Sequence, residues 1–110
     1  MAGYYTLFKS DKSGEHYFNL KAGNHEIILQ SEGYTAKSGA ENGIASVQKN
    51  GGDEARYERK QSDKGNFWFL LKATNGQTIG KSEMYTTAAA RDKGVESVKT
   101  NSSTTVIKEA

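Results

Sequence analysis

Few residues of this chain have chemical capacity, and they fall into three groups. Ser31-Glu32 and Ser82-Glu83 each place a hydroxyl beside a carboxylate. A serine becomes a nucleophile only when a base takes its proton, and no base recurs in step with both pairs. Of the two histidines, His25 sits in a turn and His16 shares the core-facing parity of its segment; without a cluster of carboxylates they make no metal site. With no Cys, disulfides, thiolate zinc sites and cysteine nucleophiles are excluded together. The third group is Lys21 and Lys72, which alternate in step with Tyr17 and Trp68. Aromatic rings interleaved with lysines can stack bases and touch phosphates; the plain alternative is cross-strand pairing on an exposed sheet face. There is no Gly-x-Ser-x-Gly, no phosphate-cradling glycine loop and no His-Glu-x-x-His. No catalytic residue, metal ligand or cofactor is therefore expected.

The elements that position these residues are written twice. Sliding the chain by 51 residues lays Gly14 on Gly65 and Asn50 on Asn101, and between Ser13 and Asn50 there are 15 identities in 38 positions. Average composition would give roughly two. Tyr5 meets Tyr57 only if one residue is dropped in the turn before Gly14, as a surface hairpin tolerates. Each unit opens with a strand, about Tyr4–Lys9 and Arg56–Gln61, and a turn. A second strand follows, Glu15–Ala22 and Asn66–Ala73, where Phe18, Leu20 and Ala22 alternate with Tyr17, Asn19 and Lys21. Gly23-Asn24 and Asn75-Gly76 predict tight hairpins. The third strands, Glu26–Ser31 and Gln77–Ser82, have an ambiguous register: Ile28 and Ile79 argue for one face, Ile27 and Leu29 for the other.

After Tyr34 and Tyr85 the period changes to that of a helix, with Ala36, Ala40, Ile44 and Val47 on one stripe and Thr87, Arg91, Val95 and Val98 on the other. Thr35 and Thr86 read as N-caps. Gly43 and Gly94 sit inside these helices, where each costs about 1 kcal/mol against Ala. The expectation is a helix lying against the sheet with no room for a Cβ. Ser103–Lys108 is β-branched and reads as a last strand.

Composition bounds the rest. The 110 residues make one domain, 1–110, of two repeats, about 4–52 and 55–108. Leu, Ile, Val and Phe total only 18, and 6 Tyr and 1 Trp supply the missing apolar surface. No apolar run reaches membrane-span length, and Met1-Ala2-Gly3-Tyr4 shows no apolar leader, so a cytoplasmic setting without membrane partners is expected. Through Gly52 there are 5 basic and 5 acidic residues, and 10 and 8 after it. The pI of 8.8 falls below the value above about 9 that marks basic nucleic-acid-binding domains, so overall charge argues against nucleic acid.

The repeated pattern Phe18-x-Leu20-Lys21-Ala22-x-Asn24, Ile28, Ser31-Glu32-x-Tyr34, Gly43-Ile44-x-Ser46-Val47 resembles the YegP-like family of small bacterial proteins. The second unit carries it as Phe69-x-Leu71-Lys72-Ala73-x-Asn75, Ile79, Ser82-Glu83-x-Tyr85, Gly94-Val95-x-Ser97-Val98. His25 departs from it, standing where the family has Gly. The resemblance implies tandem β-β-β-α-β units sharing one sheet, with the strand after each helix exchanged between units. It implies no activity and no catalytic residues.

The expected fold is thus α+β: one antiparallel-type sheet with two helices on one face. Phe18, Leu20, Ile44 and Val47, with Phe69, Leu71, Val95 and Val98, should face inward. Because the duplication supplies its own second unit, a pseudo-two-fold monomer is expected. The expected function is a non-enzymatic binding or interaction module of unknown partner. A nucleic-acid binder using Tyr17, Lys21, Trp68 and Lys72 on the open sheet face is the alternative, and an enzyme at the Ser–Glu corners ranks below it. At those corners Ser31, Glu32 and Tyr34, with Ser82, Glu83 and Tyr85, read as structural: Ser and Glu satisfy backbone donors and Tyr plugs the corner.

Overall fold

A computed structural model describes residues 3–109, so Met1 and Ala2 of the leader reading, and Ala110, lie outside it. The chain runs β1 (Tyr4–Lys9), β2 (His16–Lys21), β3 (Ile27–Ser31), α1 (Lys37–Asn50), a single 3-10 turn at Glu54–Arg56, β4 (Tyr57–Gln61), β5 (Phe67–Lys72), β6 (Thr78–Lys81), α2 (Ala88–Asn101) and β7 (Ile107–Glu109). All seven strands form one sheet in the order β4-β5-β6-β3-β2-β1-β7. Every pairing is antiparallel except β1 with β7, so the sheet is mixed. The strand after each helix is exchanged: β4 pairs with β5, and β7 crosses to the far edge to pair with β1. The last strand is Ile107–Glu109 rather than the expected Ser103–Lys108: it starts four residues later and runs one residue further, pairing with Tyr5–Leu7 of β1.

Alternation along β2 and β5 sends Phe18, Leu20, Phe69 and Leu71 under the helices, where they are fully buried with Ile44, Val47, Val95 and Val98. One continuous core joins both units. It also holds Tyr5 and Tyr57. The Tyr5 hydroxyl donates to the Ser102 carbonyl and the Tyr57 hydroxyl to the Gly51 carbonyl, each at 2.5 Å. These carbonyls lie just past the ends of α2 and α1, where backbone acceptors lack helical partners. Their rings meet Phe18 and Phe69 edge-on, with centroids 6.1 and 5.7 Å apart.

Three local readings are corrected. In the first hairpin the left-handed residue is His25, φ 70°, rather than Gly23 or Asn24, whereas in the second it is Gly76, φ 84°, of the predicted Asn75-Gly76 pair. Each loop has three residues, closed by Ala22 N–H to Glu26 C=O and Ala73 N–H to Gln77 C=O at 2.9 Å, the type of hairpin in which a turn ends on a left-handed residue. His25 also fastens the turn to the first strand, since its Nδ1 lies 2.8 Å from the Tyr4 hydroxyl. The helix caps are one residue on. Thr87 accepts from the Ala90 N–H at 3.0 Å, whereas Ala36 offers no side-chain acceptor. The ambiguous third strands contain bulges that shift the register after Leu20 and Leu71, so Ile28, Leu29 and Ile79 are all buried.

The one-residue indel is visible as a longer turn. Ser10 N–H bonds Glu15 C=O across four residues, while Ser62 N–H bonds Asn66 C=O across three.

Candidate functional site

The first candidate region is the pair of corners where β3 and β6 leave the sheet. When β3 ends, the Phe18 N–H loses its ladder partner, and the Ser31 hydroxyl accepts from it at 2.9 Å while donating to the Glu32 carbonyl at 2.8 Å. Ser82 repeats this with Phe69 N–H and Glu83 C=O at the same distances. A hydroxyl whose proton sits on a carbonyl has no base to activate it. It is the Glu main chain, not the carboxylate, that takes part. The Glu83 carboxylate accepts instead from Gln30 Nε2 at 2.7 Å. Beyond the corner, Tyr34 pairs main chain to main chain with His16, and Tyr85 with Phe67. Burial pushes both phenols above their usual pKa, and Glu32 and Glu83 add to the shift at Tyr34 and Tyr85 respectively.

These rings explain the glycines in the helices. A Cβ on Gly43 would lie 2.5 Å from the Tyr34 hydroxyl and 2.7 Å from Phe18 Cε2. One on Gly94 would lie 2.5 Å from the Tyr85 hydroxyl and 3.1 Å from Phe69 Cε2.

The second region is the sheet face that no helix covers. Register places Tyr17, Asn19 and Lys21 of β2 and Trp68, Leu70 and Lys72 of β5 on it, opposite in parity to the buried phenylalanines. Its middle row runs Glu58, Leu70, Lys81, Gln30, Asn19, Thr6, Lys108 across all seven strands. Gln30 and Lys81 are repeat equivalents facing each other at the centre, which puts the pseudo-two-fold axis between them. Tyr17 stacks on Phe8 with centroids 5.9 Å apart, and the two rings wall a shallow depression of about 390 Å³ that also meets Asn19 and Gln30. Lys108 lies over the Tyr4 ring, 4.4 Å from its centroid. Trp68 is half-buried beside Lys60.

All four residues expected of a binding surface therefore share one face, although they do not touch. Tyr17 and Trp68 sit on opposite sides of the middle row because β2 and β5 run antiparallel to each other. Sequence reasoning missed Lys60, Lys81 and Lys108. Applying the same parity to β4 and β7 would have found Lys60 and Lys108, whereas the bulge at Ile79 hides Lys81 from it.

Comparison with known proteins comes to the same architecture. A family described as "Domain of unknown function (DUF1508)" matches residues 11–58 and again 62–109. The chain belongs to the DUF1508 family. The two matches are offset by the same 51 residues as the internal repeat, and each spans second strand, third strand and helix; the second also takes in the exchanged strand, which the first only enters. A UPF0339 protein of Bordetella pertussis is 59% identical over 102 residues, 92% of this chain and 89% of its own. The UPF0339 protein YegP of Escherichia coli K12 is 50% identical over 109 residues, 99% and 98% of the two chains. The solution NMR structure of yegP from E. coli, a protein of unknown function, superposes with TM-score 0.92 at 50% identity, covering 99% of this chain and 93% of that one. A UPF0339 protein structure from Shewanella oneidensis also gives 0.92, at 52% identity and coverage of 99% and 92%. Among the described residues no helix is long and apolar enough to cross a membrane.

Proposed function

We propose that this protein is a non-enzymatic binding module and that its working surface is the helix-free sheet face. The observation that carries this reading is the contrast between the two candidate regions. The corner hydroxyls are spent on backbone partners, whereas the open face gathers aromatic rings and several lysines, of which only Lys60 and Lys72 share an ion pair, with Glu58. Lys21, Lys81 and Lys108 have no ion-pair partner among the described residues, while on the helix side Arg59 binds Glu54 at 2.5 Å and Asp92 at 3.0 Å. The reading includes a monomer, since β7 already occupies the edge that a second copy would supply. It also includes a cytoplasmic setting, which suits a Cys-free chain that relies on its core.

Amide chemical-shift mapping tests it. Titration in turn with an oligonucleotide, an acidic peptide and an oligosaccharide should move the resonances of Tyr17, Asn19, Trp68 and Leu70 with at least one of them. Shifts confined to Ser31, Glu32, Ser82 and Glu83, produced by a metabolite mixture, would favour the enzyme reading instead. Light scattering should give the 12.0 kDa of one chain; twice that mass would remove the monomer from the reading.

A further inference from the structure

We infer that the helix-free face takes single-stranded nucleic acid, an inference that rests on that face being the binding surface. The overall charge of +2 hides a segregation that the fold creates. The outward strand positions carry Lys21, Lys60, Lys72, Lys81 and Lys108 against Glu58 alone. The Glu83 carboxylate on Gln30 and the Glu15 carboxylate 3.3 Å from the Tyr17 hydroxyl border this face, but its strand positions remain net positive, and phosphates respond to the charge they meet locally.

Three features narrow the polyanion to an unpaired strand. First, the pseudo-two-fold puts an aromatic of one unit and a lysine of the other on the same side of the middle row: Trp68 with Lys21, and Tyr17 with Lys72. Three strand spacings separate the members of each set, about 14 Å, far enough for a base on the ring and a phosphate of a following nucleotide on the ammonium. Second, the row between them offers the Asn19 amide and the Gln30 amide oxygen, which can meet base edges, while Gln30 Nε2 donates to Glu83. Third, the face is shallow and has no projecting helix or ribbon to enter a duplex groove, whereas splayed single-stranded bases stack on exposed rings. An acidic peptide would use the lysines and leave the rings idle; a neutral saccharide would do the reverse. Glu58, which holds Lys72 at 3.2 Å and Lys60 at 3.4 Å, and Glu83 on Gln30 border the route and keep its charge moderate. The expected binding is accordingly salt-sensitive and of low sequence preference.

The test uses the whole chain with a fluorescein-labelled oligothymidylate, the same-length duplex and a heparin fragment. Expected are quenching of the single Trp by the oligonucleotide and amide shifts at Tyr17, Lys21, Trp68 and Lys81. Affinity should fall as salt rises, with a log–log slope reduced by about 1 to 1.5 in Lys21→Gln/Lys81→Gln. Trp68→Thr should weaken binding at least about 5-fold, the low end of one base stack. Should Trp68→Thr fail to fold, the lysine variant decides alone. Equal or tighter binding of duplex or heparin, or wild-type affinity and salt slope in the lysine variant, overturns the inference. If the same face shifts with a peptide or saccharide but not with the oligonucleotide, the binding face stands and nucleic acid falls. If no probe shifts that face, both fall.

Discussion

The helix seats and the pseudo-two-fold axis obey opposite rules. At the seats the two units carry the same residues: Gly43 and Gly94, Phe18 and Phe69, Tyr34 and Tyr85. On the axis they differ: Leu29 answers to Gly80, Gln30 to Lys81, and Gly51 to Ser102. Away from the axis each copy of a residue has its own surroundings, and one good solution serves twice. On the axis the two copies meet each other. The Leu29 side chain fills the space a Cβ on Gly80 would need, with Cγ 2.8 Å from it, and Ser102 does the same over Gly51. A large residue and a small one interlock there, where two identical large ones would collide. Covalent duplication is what permits two equivalent positions to become complementary.

Making the axis symmetric is the strongest way to break that contrast. Gly80→Leu should cost about 3 kcal/mol in urea unfolding, because Leu29 and the Gln30 carbonyl already occupy the site. The exchanged variant Leu29→Gly/Gly80→Leu should be more stable than either single variant, with a coupling of about 2 kcal/mol. Additive losses would mean that the two positions are independent.

The seats offer a smaller and graded test. Ala at Gly43 gains roughly 1 kcal/mol of helix propensity but presses on Phe18, which is fully buried and stacked with Tyr34 at 6.3 Å. We expect a net loss of about 2 kcal/mol at Gly43 and about 1 kcal/mol at Gly94, where Phe69 stands 0.4 Å further off (3.1 against 2.7 Å). A raised midpoint for either variant would show that the glycine answers to something other than packing.

The mildest change is in the hairpins. His25→Gly should stabilise by about 0.5 kcal/mol, relief of left-handed strain slightly outweighing the exposed bond to Tyr4. Gly76→His should cost about 1 kcal/mol, since Arg56 replaces Tyr4 in the second unit. Thermal unfolding of the two variants reads both signs.

What could be read from residue order was whatever has a short period. Alternation in β2 and β5 gave the buried Phe and Leu and, by the same parity, the shared face of Tyr17, Lys21, Trp68 and Lys72. Tyr5 and Tyr57 as core residues were not legible. A Tyr is buried when its hydroxyl finds a partner, and for Tyr5 that partner is 97 residues away. The bulges at Ile28 and Ile79 break alternation where alternation was the signal. The charge of the open face was invisible to a sum over halves, because a strand divides its charges between faces and not along its length.

The two tyrosine bonds also differ in what must happen before each can form. Tyr57 reaches a carbonyl 6 residues away and Tyr5 one 97 residues away. With closure entropy rising by about 0.6 kcal/mol per doubling of the loop, four doublings separate them by about 2.4 kcal/mol. The same contact is therefore an early, local event at the join between units and a late one at the β1–β7 edge. By loop entropy alone, the seam where the first and last strands meet is the costlier of the two tyrosine-anchored contacts to close.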